Sequence, residues 1–202
     1  LQQYGQSIYF DAIRRSWIHD GELQKLIDDD GVRGVTSNPA IFQKAIADSN
    51  DYDEAIREHA HEGHDALATY ETLVLTDIRD AADLFRPMYD ASDGEHGYVS
   101  LEVSPELAHD TAGTVKEAQH LWSKLDRPNV FIKVPATVAG IGAIRRLIAA
   151  GVNVNVTLIF GLDRYKQVLD AYLTGLEERV ANGGAVSHVA SVASFFLSRL
   201  DL

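Results

Sequence analysis

Short apolar runs alternate along the chain with longer segments whose apolar residues recur at helical spacing. The clearest helical segments are residues 106–125, 141–150 and 163–180. Alternation of strands with helices is typical of parallel β/α units, because each parallel strand needs a crossover to reach the next. Six runs are predicted to be strands: residues 7–11, 34–38, 98–103, 130–135, 152–160 and 186–194.

The segment between the second and third predicted strands, residues 43–92, is long and largely helical. We interpret it as a helical insertion packed on the outside of a single barrel domain that spans residues 1–202. Asn38 followed by Pro39 is typical of a helix N-cap with proline at the first helical position. A helix is therefore expected to begin where the second strand ends.

Polar residues occupy one face of several predicted strands, towards their C-terminal ends. Successive strand residues point to opposite faces, so Val154, Val156 and Leu158 share one face of the fifth run. Asn155 and Thr157 share the other. A parallel strand covered by helices is normally apolar on both faces, whereas a (β/α)8 barrel carries its active site at the C-terminal mouth.

The pattern therefore predicts an α/β fold of the (β/α)8 TIM-barrel type, with about six β/α units in this chain and extra helices between strands two and three. The residues predicted to line its mouth are Asp11, Asn38, Glu102, Lys133, Asn155, Thr157 and Ser194.

Each of these residues also has a purely structural explanation. Asn38 could serve only as a helix cap, and Ser194 could fill a tight packing layer. Glu102 could exist only to neutralise Lys133 as a structural ion pair. Burying an amine, two carboxylates and two amides in one lumen is energetically costly, so the set as a whole favours a functional role.

Lys133 is the least expected residue in a buried strand. A desolvated amine loses its proton more readily, and the neutral amine can attack a carbonyl to form a Schiff base. That chemistry needs groups that move protons, and Glu102 and Asp11 are the carboxylates on the same predicted surface. The hydroxyls of a polyol could be held by Asn38, Asn155 and Ser194.

Composition narrows the classes of function. The chain has no cysteine, which excludes disulfides, thiolate metal sites and a cysteine nucleophile. This fits a reducing compartment, and the first residues show no secretory pattern, so a cytoplasmic protein is expected. The formal net charge of -12 argues against nucleic-acid binding. No apolar run approaches the ~18–20 residues of a membrane span.

A histidine-rich stretch contains His59, His61 and His64. Offsets of two and three residues do not place all three side chains on one helical face. The surrounding residues are polar and acidic, which favours a solvated helix end. We therefore predict no metal site there.

Several segments of the chain resemble the transaldolase family. GVTSNPAIF (34–42) resembles its T-S-N-P signature, and YFDAIRRSWI, with Asp11, resembles its first strand. The resemblance spans the whole chain and implies a class I aldolase-type barrel with the lysine on strand four. The other matching segments follow in the family's order: VSLEV with Glu102, VFIKVPAT with Lys133, NVNVTLIF with Asn155 and Thr157, and SFFLSRLD with Ser194 and Arg199.

The resemblance implies that Lys133 forms a Schiff base with a ketose phosphate, such as sedoheptulose 7-phosphate or fructose 6-phosphate. The dihydroxyacetone unit would then pass to glyceraldehyde 3-phosphate or erythrose 4-phosphate. Asp11 would move the proton of the hydroxyl next to the scissile bond. Glu102 would act through a water held with Thr157. The residues implied in substrate binding are Asn38, Asn155 and Ser194 for hydroxyls, Arg199 for phosphate and Phe196 near the catalytic water.

The resemblance implies no cofactor and no metal. The expected partners are small-molecule sugar phosphates, with no nucleic acid and no membrane, and the protein is expected to be a monomer or homodimer. Family members are longer, by two further β/α units that carry a second phosphate-binding arginine. We therefore expect this chain to be truncated at its C-terminus. Two alternatives remain open, another class I aldolase acting on sugar phosphates and a non-catalytic barrel fragment.

Overall fold

The structure is a computed structural model that describes residues 2–199. Contacts between residues divide the chain into two compact units. The first comprises Leu1–Leu101 with Arg127–Asn129, and the second comprises Glu102–Asp126 with Val130–Leu202. The single-domain interpretation of residues 1–202 stays a prediction.

Parallel strands separated by helices build the first unit. Strand β1 pairs with β2, and β2 pairs with β3, all in parallel. Val35 and Val99 are opposite each other in this pairing and are both fully buried. The elements, in chain order, are β1 (Ile8–Phe10), α1 (Arg15–His19), α2 (Glu22–Asp28), β2 (Val32–Thr36), α3 (Pro39–Ala47), α4 (Asp53–His61), α5 (Ala66–Ala91) and β3 (Tyr98–Glu102), whose last residue belongs to the second unit.

Gly34 allows the strands of the first unit to approach closely. A Cβ atom at this position would lie 2.6 Å from the carbonyl oxygen of Tyr98 and would also collide with the ring of Tyr9. Real Cβ atoms do not approach backbone oxygens this closely. The glycine is therefore needed for the Tyr9 ring to cover β2.

A buried polar network joins α1 to α5. Asp77 is fully buried, and its carboxylate accepts a 2.8 Å hydrogen bond from Nε of Arg15 and another of 2.8 Å from the hydroxyl of Tyr52. Burial raises the pKa of the Asp77 carboxyl, and the charge of Arg15 partly opposes that rise. Both carboxylate oxygens are bonded, so the cost of burying the group is partly offset.

The second unit repeats the strand–helix alternation. Strand β4 pairs with β5, and β5 pairs with β6, again in parallel. Thr137 caps the helix after β4 by accepting a 2.9 Å hydrogen bond from the amide of Gly140, which is the usual role of an N-cap. The elements are α6 (Thr111–Leu125), β4 (Val130–Pro135), α7 (Val138–Ala150), β5 (Val154–Ile159), α8 (Leu162–Ala181) and β6 (Ser191–Phe195).

All six predicted strands occur within residues 2–199, and the helices expected between strands two and three are α3, α4 and α5. The predicted start of β6 at residue 186 is wrong. Residues 186–190 form turns and loop. The amide of Ala190 donates a 2.9 Å hydrogen bond to Oδ1 of Asn153. Strand pairing begins at Ser191, opposite Val154. Along the described part of the chain, the helices are either too short or too polar to cross a membrane.

Candidate active site

Lys133 lies in the middle of β4, which is buried along its whole length. Its side chain is 8% exposed, and its amine lies 3.4 Å from Oε2 of Glu102, whose side chain is 17% exposed. Glu102 ends β3, and the amide of the next residue, Val103, donates a 3.2 Å hydrogen bond to the carbonyl of Lys133. The backbone thus fixes a shielded amine beside a shielded carboxylate, an arrangement suited to proton transfer.

Asn155 is the neighbour of Lys133 on the adjacent strand. The register of β4 and β5 places Lys133 opposite Asn155 and Pro135 opposite Thr157. Oδ1 of Asn155 accepts a 2.9 Å hydrogen bond from the hydroxyl of Ser194 on β6. That bond fixes the orientation of the amide, whose nitrogen is a donor. The second unit therefore brings together a lysine, a carboxylate, an amide and a hydroxyl on three adjacent strands and the end of β3.

Thr157 continues the polar face of β5 and is almost completely buried. Its carbonyl accepts a 2.8 Å hydrogen bond from the amide of Ala136, directly after β4. The threonine is thus held at the C-terminal end of the strand, on the same face as Asn155. Its predicted role in holding a catalytic water stays a prediction.

A β-bulge follows Thr157. The register advances by three residues on β5, from Val156 to Ile159, while it advances by two on β6. Leu158 takes up the extra residue with a φ of 61° and is 43% exposed, whereas Ile159 is fully buried. The prediction that Leu158 shares a face of the strand with Val156 is therefore wrong, because the bulge turns its side chain outwards.

Phe196 and Arg199 follow the end of β6. The ring of Phe196 packs on that of Phe160, with the centroids 5.7 Å apart. Arg199 is exposed in a short 3-10 turn, and its amide donates a 3.0 Å hydrogen bond to the carbonyl of Phe196. The guanidinium group is therefore accessible to an anion.

Asp11 belongs to the first unit and comes directly after β1. Its Oδ1 accepts a 2.5 Å hydrogen bond from the hydroxyl of Thr36, the last residue of β2. The carboxylate is exposed, so it is oriented by one bond and remains accessible to a ligand.

Asn38 caps α3, as predicted from the proline that follows it. Its Oδ1 accepts a 2.9 Å hydrogen bond from the amide of Ile41. This bond uses the oxygen of the side-chain amide and leaves the nitrogen as the donor end. The structural role is confirmed, and the role in substrate binding stays a prediction.

Two residues that the sequence did not single out belong to this description. Thr36 orients Asp11, and its signal was its place at the end of β2, two residues before Asn38. Phe160 packs on Phe196, and it had no separate signal in the sequence, because residue 160 was included in the predicted strand 152–160.

Within the described residues, one group of side chains could hold a metal ion. It consists of His59, Glu62 and His64 at the end of α4. The Nδ1 atoms of the two histidines lie 3.0 Å apart, and Nδ1 of His59 lies 3.6 Å from Oε2 of Glu62. A hydrogen bond between the imidazoles accounts for this arrangement without an ion, so the predicted lack of a metal stays a prediction.

Comparisons with known proteins place the chain in a family. The model of the family Transaldolase/Fructose-6-phosphate aldolase matches residues 8–202. The chain is 53% identical over 201 residues to a transaldolase of Saccharopolyspora erythraea, and the match covers 100% of this chain and 54% of that protein. It is 48% identical over 202 residues to a transaldolase 2 of a Nostoc species, covering 100% of this chain and 53% of that protein.

The chain therefore spans about half the length of the curated relatives it matches. The predicted fold class, an α/β fold of the TIM-barrel type with six β/α strands in this chain, is confirmed by the family match together with the observed strands. The chain belongs to the transaldolase/fructose-6-phosphate aldolase family.

Proposed function

We propose that this chain acts as a transaldolase through a Schiff base on Lys133. The observation that carries the proposal is the pair of the buried Lys133 and the partly buried Glu102, whose amine and carboxylate lie 3.4 Å apart. The names of the relatives support the same activity. The proposed reaction moves a dihydroxyacetone unit from sedoheptulose 7-phosphate to glyceraldehyde 3-phosphate, giving erythrose 4-phosphate and fructose 6-phosphate.

In the first step, the neutral amine of Lys133 attacks the ketone carbon of the donor. The carbinolamine then loses water to give the imine. Glu102 supplies and removes the protons of these steps, acting through a water held with Thr157. A carboxylate 3.4 Å from the amine is close enough for this role once substrate is bound.

In the second step, Asp11 takes the proton of the hydroxyl beside the scissile carbon–carbon bond. That bond breaks, the aldose phosphate leaves, and the electron pair is held by the imine as an enamine. The acceptor aldehyde forms a new carbon–carbon bond, Asp11 returns the proton, and hydrolysis frees Lys133. Asn38, Asn155 and Ser194 are proposed to bind substrate hydroxyls. Arg199 is proposed to bind phosphate, and Phe196 is proposed to lie near the water.

A second candidate is an aldolase that releases free dihydroxyacetone. The description of the matching family, which names both activities, favours keeping it. In that reaction the enamine is protonated and hydrolysed before an acceptor arrives. The protein is further proposed to be cytoplasmic and to be a monomer or homodimer.

The test is reduction with borohydride in the presence of fructose 6-phosphate, followed by peptide mass mapping. A dihydroxyacetone-sized adduct is expected on the peptide that contains Lys133. The variant Lys133→Met should give no adduct while remaining folded, since methionine fills a similar volume without the amine. The matched control Lys166→Met removes an exposed amine of α8 and should leave the adduct unchanged.

Three outcomes separate the alternatives. In a parallel assay without borohydride, transfer of the dihydroxyacetone unit from fructose 6-phosphate to erythrose 4-phosphate supports the transaldolase, and adduct formation without such transfer supports the aldolase. Absence of any adduct from the folded protein points to a non-catalytic fragment. If Lys133→Met unfolds instead, the lysine serves the structural ion pair.

A further inference from the structure

The histidine-rich segment at the end of α4 folds back on the helix through backbone hydrogen bonds. Helix α4 ends at His61, and Gly63 adopts a left-handed conformation with a φ of 81°. The amide of Gly63 donates a 3.2 Å hydrogen bond to the carbonyl of Ala60, and the amide of His64 donates a 3.0 Å hydrogen bond to the carbonyl of His59. These two bonds form a Schellman motif, which sets His64 beside His59.

The two imidazoles of this motif stack on each other. Their ring centroids lie 5.0 Å apart, with an angle of 21° between the planes, and their Nδ1 atoms are 3.0 Å apart. A hydrogen bond between the facing nitrogens requires a proton on one of them and a lone pair on the other. His59 is partly buried and His64 is exposed. The pair is therefore held in place and is accessible to solutes.

Glu62 brings a carboxylate to the same point. Its Oε2 lies 3.6 Å from Nδ1 of His59 and 3.9 Å from Nε2 of His64. The ligand atoms that the three side chains offer all lie within 4.8 Å of one another. The ligands of a tetrahedral zinc ion lie ~2.0–2.2 Å from the metal and so about 3.4 Å from each other. The separations of 3.0 and 3.6 Å bracket that value, so small side-chain rotations complete the site.

The sequence prediction of no metal site at this segment considered a different set of ligands. It rejected His59, His61 and His64 because these three residues do not share a helical face. In the structure, Glu62 takes the place of His61, and the turn at Gly63 returns His64 to the helix. The ligands come from the helix end and the turn together, and helical spacing does not describe such a set.

We propose that His59, Glu62 and His64 bind a divalent transition-metal ion of the zinc class. One nitrogen of each imidazole and a carboxylate oxygen are the ligands, and water takes the fourth position. Binding releases the proton that one imidazole donates to the other. Imidazole ligands favour zinc, nickel and copper, whereas magnesium and calcium prefer oxygen ligands. The site lies at the C-terminal end of α4, where the helix dipole favours a cation.

The bound ion would hold the turn between α4 and α5 closed. Asp65, the residue after the last ligand, caps α5 by accepting a 2.8 Å hydrogen bond from the amide of Ala68. An ion on His59 and His64 therefore connects the last turn of α4 to the residue that precedes this cap. Zinc should accordingly slow hydrogen exchange at the amides of Gly63 and His64, whose bonds close the turn.

The test is calorimetric titration of the 202-residue chain with zinc chloride in a buffer that does not chelate metals. Zinc is expected to bind, and magnesium chloride is expected to give no comparable binding. His64→Ala should weaken zinc binding at least about tenfold, because even the groups that orient metal ligands contribute that much. Glu62→Gln should also weaken it, since a neutral amide is a poorer ligand. Both residues are exposed, so circular dichroism should show an unchanged fold.

The matched control is His61→Ala, which removes an exposed imidazole from the same helix end and should leave zinc binding unchanged. The proposal is overturned if the wild type does not bind zinc or binds magnesium as tightly. It is also overturned if His64→Ala retains the wild-type affinity, or if His61→Ala weakens binding as much as His64→Ala does. Lys133→Met should still bind zinc, so the result does not depend on the proposed activity.

Discussion

The hydroxyl of Thr36 donates a 2.5 Å hydrogen bond to the carboxylate of Asp11 and so joins the end of β2 to the residue after β1. If Asp11 moves the proton of the cleaved bond, its orientation should matter for cleavage and not for imine formation.

Thr36→Val keeps the shape of the side chain and removes the donor. We expect the rate at which the dihydroxyacetone-sized adduct forms from fructose 6-phosphate to fall about tenfold, because a misplaced catalytic group loses its geometric advantage. Adduct formation from free dihydroxyacetone, which needs no bond cleavage, should be unchanged. Thr36→Ser retains the hydroxyl and should restore most of the rate. Equal slowing with both substrates would contradict a role for Thr36 in orienting Asp11.

Glu102→Gln tests the carboxylate beside the lysine. Glutamine occupies nearly the same volume but cannot exchange a proton at neutral pH. The rate at which borohydride traps the Lys133 adduct should fall about 10²-fold, which is the usual contribution of a general acid or base. The control Glu106→Gln changes an exposed carboxylate in the 3-10 turn after β3 and should have no effect. Trapping at the wild-type rate would exclude Glu102 from the proton transfers.

Leu158 adopts a left-handed backbone conformation, with a φ of 61°. This conformation costs a residue with a Cβ atom about 1–2 kcal/mol. Leu158→Gly should therefore be more stable than Leu158→Ala by about 1 kcal/mol, because both variants lose the partly exposed side chain and only glycine escapes the clash. Urea unfolding monitored by circular dichroism measures the difference. Equal midpoints for the two variants would show that the bulge carries no strain at this residue.

Burial raises the pKa of the Tyr9 phenol from its ordinary value of 10.0 to about 12. The neutral phenol is therefore favoured in the folded state. Its contribution to stability is fully present below pH 10 and is lost as the pH rises towards 12. Between these values the free energy of unfolding should fall less steeply for Tyr9→Phe than for the wild type, as measured by urea unfolding.

The control for this prediction is Tyr4→Phe, at an exposed ring, which should keep the wild-type slope. Some slope should remain in Tyr9→Phe, since burial also raises the pKa of Tyr98. An unchanged slope in Tyr9→Phe would mean that its phenol ionises equally in both states.

A strand that is buried on both faces was predictable from the sequence, because nearly all of its residues are apolar. Strand β4 was predicted at its observed bounds, Val130–Pro135, because it is covered on both faces and its residues are apolar except for the lysine. The start of β6 was placed too early because the valines at positions 186 and 189 resemble strand residues. They lie in turns and loop, and one of them is buried there.

Other features depend on pairing between strands, which a single sequence does not show. The bond between Thr36 and Asp11 requires a register that shifts between Ile8 and Tyr9. The bulge at Leu158 is one extra residue relative to β6, and no composition signal marks it. The lysine and its carboxylate were predictable because charged residues are rare in buried strands.

Because Lys133 pairs with Asn155, the proposed formation of an imine on Lys133 would also report whether the strand is correctly paired. A slip of β4 by one residue would turn every one of its side chains to the opposite face. The amine would then lie on the side that α7 and its neighbours cover, away from Asn155. Under the proposed function, only a chain with the native pairing would form the imine on Lys133, so the yield of trapped imine would count correctly folded molecules in a preparation.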